Sequence, residues 1–137
     1  MATFIKFNSF VEQLAEKGHN LQSDTLRVML TNTAPVATNS VKADIVEIAA
    51  GNGYVAGGPQ VTVSSSAQTA GTYKLVLADA VITASGGTIG PAQYAVLYNA
   101  TAGLLIGYWS YGSAFLLNTS ETMTVDFDDV TGVLTIA

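Results

Sequence analysis

The chain of 137 residues contains no cysteine, which excludes disulfides, thiolate metal sites and thiol catalysis. Charge is also scarce. Asp, Glu, Lys and Arg make up 11% of the residues, against about 25% in an average soluble domain. A domain so poor in charge has little surface suited to bare solvent, which points to faces covered by partners or by copies of itself. Bases are missing from the second half altogether. Lys6, Lys17, Arg27, Lys42 and Lys74 all precede Leu75, and every charged residue after them is an acid. With a net charge of −5 and no cluster of Lys or Arg, neither nucleic acid nor an anionic membrane is an expected partner. No apolar run reaches the roughly 18 residues that a membrane-crossing helix needs. The start, MATFIKFNSF, lacks the basic-then-apolar order and cleavage site of a secretion signal, so the chain is expected to be made and kept in a cytosol.

What is present is hydrophobic and β-forming: 49% of the chain is apolar or aromatic. The organising stretch is QYAVLYNATAGLLIGYWSYG, residues 93–112. Tyr94–Tyr98 and Leu104–Ser110 read as two charge-free strands joined by a short turn, with Gly103 suited to a left-handed position. Arms of that composition want cover on both faces, so this hairpin is the expected middle of a β-sandwich. Strands are also expected at 25–32, 60–68, 72–83, 113–117, 122–127 and 133–136. They recur about every ten residues with turn signals between, the pattern of an antiparallel sandwich or barrel. The run 122–127 alternates most cleanly, with Met123, Val125 and Phe127 inward. Residues 43–49 suit either a helical turn or an edge strand, and 85–91 form a turn cluster.

One helix is expected, over 7–17, from apolar residues at Phe7, Phe10, Val11, Leu14 and Ala15. Ser9 and Glu12 fit a capping box, and Gly18 fits the left-handed position past the end. The expected fold is mainly β: a single-domain antiparallel sandwich with one short N-terminal α-helix packed on it.

Catalytic equipment is hard to find. His19 is the one histidine, with no second ligand or base near it in sequence, and reads as structural or exposed. The glycine-rich stretch 51–58 lacks the lysine of a phosphate loop and reads as a surface loop or bulged strand. Asp126, Asp128 and Asp129 could approach a hard cation, but the ligand ladder of a calcium loop is missing, and a solvated turn is the simpler reading. No cofactor is expected. Tyr108, Trp109 and Tyr111, with Tyr94 and Tyr98, could line a sugar-binding face, although aromatics of this kind more often pack a core.

Several phrases in order carry a resemblance: FNSFVEQLAEKGHNL, DTLRVMLTNTAPVA, SSAQTAGTYKLVLAD, GPAQYAVLYN, LIGYWSYGS and ETMTVDFDDVTGVLTIA. Together they span nearly the whole chain. They resemble the small capsid cement, or decoration, proteins of tailed bacteriophages, of the jelly-roll kind found on some short-tailed phages. The resemblance implies a non-enzymatic virion protein on the outer capsid surface that bridges capsomers of the major capsid protein, as a homodimer or homotrimer. It supplies no binding motif to carry over. Candidate contacts with shell or neighbour are therefore taken from the helix and from the irregular loops 33–44 and 51–60: Phe4, Phe7, Phe10, Pro35, Tyr54 and Pro59. The alternative is a carbohydrate-binding or receptor-binding module using Tyr108, Trp109 and Tyr111. A small hydrolase is a third reading, and it would need a cleft around His19 or a carboxylate pair.

Overall fold

Two long antiparallel strands dominate a computed structural model that describes residues 3–137. They are β7 (Ile89–Asn99) and β8 (Leu104–Leu117). Around them the chain forms β1 (Ile5–Lys6), α1 (Ser9–Ala15), β2 (Leu26–Thr31), β3 (Gln60–Val61), β4 (Val63–Thr69), β5 (Thr72–Leu77), β6 (Ala80–Thr83), β9 (Thr122–Val125) and β10 (Leu134–Ile136). The backbone ladders group the strands into three sheets, ordered β1-β8-β7-β2-β3, β10-β5-β4 and β6-β9, with every pairing antiparallel. The protein is thus mainly β with one helix.

The five-stranded sheet is covered on both faces, as its charge-free central strands require. One face meets the two smaller sheets across the main core, where Val28, Leu30, Ala95, Leu97 and Ile106 pack with Leu75, Leu77, Ile82, Val125 and Phe127. The other face carries Met29, Val96, Tyr98 and Leu105, sealed by Phe7 and Ile45. Its lid is a strap of irregular chain. After Thr31 the chain crosses to the outer edge of β8, where Val41 bridges Leu104, and returns to β2, where Glu47 bridges Thr31. A turn of 3-10 helix, Lys42–Asp44, lies at the crossing. Asp44 holds it by accepting from the N–H groups of Ser40 and Val41. Residues 43–49 therefore begin in a helical turn and go on as irregular chain with one isolated bridge, at Glu47, and not as an edge strand.

Five boundaries differ from the pattern in the sequence. Residues 60–68 divide at Thr62 into β3, on the five-stranded sheet, and β4, on the three-stranded one. Residues 72–83 are two strands in different sheets, because the chain turns at Ala78-Asp79 and Asp79 accepts the N–H of Phe127 instead of extending the ladder. Residues 113–117 belong to β8, which leaves its ladder between Ser110 and Phe115 and rejoins it. Gly90 and Pro91 sit inside β7, where the register slips, and not in a turn. The helix is shorter than 7–17, and no side-chain cap forms at its start: Ser9 Oγ is buried without a partner. At its end Lys17, not Gly18, takes the left-handed conformation, at φ 69°. Gly18 N–H bonds to Gln13 O and Lys17 N–H to Leu14 O, a Schellman closure. Glycine is needed at 18 for space, since a Cβ there would lie 2.8 Å from Gln13 O.

Candidate functional site: exposed apolar faces and a buried polar cluster

Valines stand out on the strap and on the loop beside it. From Thr33 to Pro59 the chain holds only Lys42, Asp44 and Glu47 as charged residues. Val36, Val41, Val46 and Val55 are exposed on it, at 54%, 38%, 64% and 55%. The backbone beneath is held firmly. Glu47 Oε1 accepts from the Tyr54 hydroxyl at 2.7 Å and from Gly57 N–H at 2.6 Å. Tyr54 OH in turn accepts the N–H of Leu30, filling a vacancy on the β2 edge. Tyr98 OH donates to Gly57 O, and Arg27 Nη1 to Ala56 O. Gly58 lies directly against the carbonyl of Val28, where no Cβ fits. Burial holds both phenols above the usual tyrosine range, Glu47 adding to the effect, so both stay protonated donors.

The six residues proposed as contacts divide between core and surface. Phe7, Phe10 and Tyr54 are 0–2% exposed and Pro35 is buried, so none of these four presents a contact surface. Their aromatic and apolar bulk is spent inside: Phe7 seals the second face, Phe10 and Tyr54 join the main core, and Pro35 is a buried residue of the strap. Phe4 and Pro59 are half-buried. In the loops 33–44 and 51–60 the large residues Pro35 and Tyr54 are buried, and Val36, Val41 and Val55 are exposed. Valine is the residue that sequence reading passed over, because its alternation with small residues in a loop has no strand or helix period to mark it.

Three other places carry concentrated chemistry. A groove of about 500 Å³ between α1, the β1 segment and β10 is lined by Phe4, Phe10, Val11, Leu14, Leu134 and Ile136. A wider mouth of about 830 Å³ opens at one end of the sandwich, between the β4–β5 hairpin and residues 14–24. His19 lies at this mouth, yet it is buried and stacked on Phe10 at 5.1 Å. Asn99 donates to Asp24 Oδ2 at 2.6 Å and lies 3.2 Å from His19 Nδ1, which accepts its other proton. That leaves the imidazole proton on Nε2, which has no partner among the described residues. Burial lowers the pKa of His19, against the opposing pull of Asp24, so the ring is neutral and structural. No hydroxyl is hydrogen-bonded to it among the described residues.

Of the acids near the end of the chain, Asp128 is a turn cap. Asp128 Oδ1 accepts from Val130 and Thr131 N–H, both at 2.8 Å, and these bonds lower its pKa. Among the described residues no three acid or histidine side chains are grouped to hold a metal ion. The aromatic trio does not form a row. Tyr108 and Trp109 lie on opposite faces of β8: the first packs on Phe7, the second on Phe4 and Phe127. Tyr111 packs edge-on against Phe115 and shares with Trp109 and Asp126 the lining of one pocket.

No protein-family model, curated protein or solved structure matches this chain. The geometry above is what a functional reading rests on.

Proposed function

We propose that this is a non-enzymatic virion structural protein that docks on the outside of a phage shell and stabilises it by bridging capsomers of the major capsid protein. The phrases that resemble jelly-roll cement proteins suggest the role. The observation that carries it is the strap: a valine-studded layer, with Lys42 and Asp44 as its exposed charges, anchored to the sheet by the hydrogen bonds of Glu47, Tyr54 and Tyr98. A rigid apolar face loses little conformational entropy when it docks. A protein that binds only the assembled shell raises the shell's stability by mass action, and repetition over many sites multiplies weak contacts. Assembly would take place in a bacterial cytoplasm, where a cysteine-free sandwich folds without oxidation.

The test is cosedimentation with tailed-phage heads stripped of their outer proteins. Truncating residues 1–18 is unsuitable, because Phe7 and Phe10 belong to the core. The triple variant Val36→Asp, Val46→Asp, Val55→Asp changes exposed positions only. Each carboxylate pressed against an apolar shell costs roughly 1–3 kcal/mol, so Kd is expected to rise about tenfold or more per site while the urea midpoint stays put. Full occupancy by the triple variant would sink the proposal.

A further inference from the structure

We infer that the chain pairs with a second copy of itself through the outer edge of β4, joining two three-stranded sheets into one of six. This rests beside the proposed function, in which the resemblance implies a homo-oligomer, but it uses no feature of the valine face and needs no shell. β4 is bonded on one side to β5 and on the other to no strand among the described residues. It is the longest strand that ends a sheet: β1 and β3 have 2 residues, β10 has 3, β6 and β9 have 4, and β4 has 7. Its outer N–H and C=O groups form a template for another strand. Solitary proteins blunt such edges with lysine, proline or an inward charge. β4, VSSSAQT, has none of these, and the chain holds no charged residue from Ile48 to Tyr73. A bulge between Val63 and Ser65 twists only its first residues.

Charge selects the occupant. A second copy carries the same −5, so two copies repel wherever acids face acids. The β9 edge is flanked by Glu121 and Asp126, and β6 follows Asp79. β3, β10 and β4 are the sheet-ending strands with no charged side chain in them or next to them, and of these only β4 is long enough for identical surfaces to meet over several residues without that repulsion.

The hairpin turn sets the register. Ala70 and Gly71 have φ of 51° and 83°, and Thr69 pairs with Thr72. A two-residue turn of this kind is closed by a pair that exchanges backbone bonds, and the type alternates along the ladder. Thr69–Thr72 and Ala67–Lys74 are then the bonded pairs, while Gln68–Tyr73 and Ser66–Leu75 are not. The N–H and C=O of Ser66 and Gln68 therefore point away from β5. A two-fold axis at Ala67 sets Ser66 against the partner's Gln68 and Gln68 against the partner's Ser66, making about four backbone bonds. The two copies of Ala67, which is exposed, then face each other with Cα atoms about 4.5 Å apart.

Ala67→Cys tests this directly in a chain with no other thiol. The separation lies inside the roughly 4.4–6.8 Å that a disulfide spans, so mild oxidation should give a covalent dimer on a non-reducing gel. Ser113→Cys, exposed on the β8 excursion, should remain monomeric. Sedimentation equilibrium of the unaltered protein should show a concentration-dependent dimer. Ala67→Glu places its carboxylate beside Lys74 of its own hairpin, which keeps the fold, and sets like charges face to face at the axis. That variant should sediment as a monomer with an unchanged urea midpoint. Cross-linking of Ala67→Cys no faster than Ser113→Cys, or a dimer persisting in Ala67→Glu, would overturn the inference. A dimer with no affinity for phage heads would instead overturn the proposed function and leave the β4 pairing standing.

Discussion

Asn99 ends β7 and is fully buried, and its amide satisfies three groups at once: Asp24, His19 and the N–H of Ala102. It ties the turn of the central hairpin to the segment that follows α1. His19 is part of the same knot, which gives the protein a pH response. Burial sets its folded pKa below 6.5, so the unfolded chain takes up the proton first as pH falls. The stability His19 contributes is complete above about pH 6.5 and is lost progressively below it. Asp24 acts in the same sense further down. The Asn20 N–H, and then Asn99, lower its pKa from 3.8, and that contribution goes as pH falls past 3.8. The urea midpoint should therefore decline between about pH 7 and about pH 5, and His19→Gln, which keeps an acceptor for Asn99, should flatten the decline. An equal decline in the variant would place the titration on another group. The presence of a lone histidine was legible in the sequence, but its burial was not, because its partner lies 80 residues away.

The strap owes its position to the face beneath it more than to its own residues. Phe7 is fully buried, stacks on Tyr108 at 5.2 Å and fills the space between Met29, Val96 and Leu105. Phe7→Ala should cost about 3–5 kcal/mol in urea unfolding, from lost burial and the cavity left behind. Val46→Ala, at a position 64% exposed, should cost less than about 0.5 kcal/mol. A small loss for Phe7→Ala would mean that the second face collapses readily and the strap is less rigid than its hydrogen bonds imply. At this scale the sequence read well where one neighbour decides. The alternation over 122–127 is reproduced by buried Met123, Val125 and Phe127, since half-buried strands display their period directly. It read poorly at 72–83, where Leu75, Val76 and Leu77 are all buried and the change of sheet falls at Ala78-Asp79. A break made by Asp79 capping a distant N–H leaves no local pattern.

For the whole molecule, the shortage of charge sets the character of any association. If the valine face drives docking, affinity for phage heads should change less than about threefold between roughly 50 mM and 500 mM salt, because screening acts on charges and not on apolar area. A steep loss with salt, read by cosedimentation, would indicate an ionic interface. Composition and alternation by themselves determined that the chain is a mainly β protein with one short helix, a central charge-free hairpin and no thiol chemistry. These follow from side-chain type and from spacing between near neighbours, which the chain carries wherever it is read. Only the tertiary structure decided that Phe7, Phe10 and Tyr54 point inward while the valines of the loops point out, that His19 is locked to Asn99, and that β4 ends its sheet with no further strand beside it among the described residues. Each of these depends on which remote segments meet, and burial is a property of that meeting.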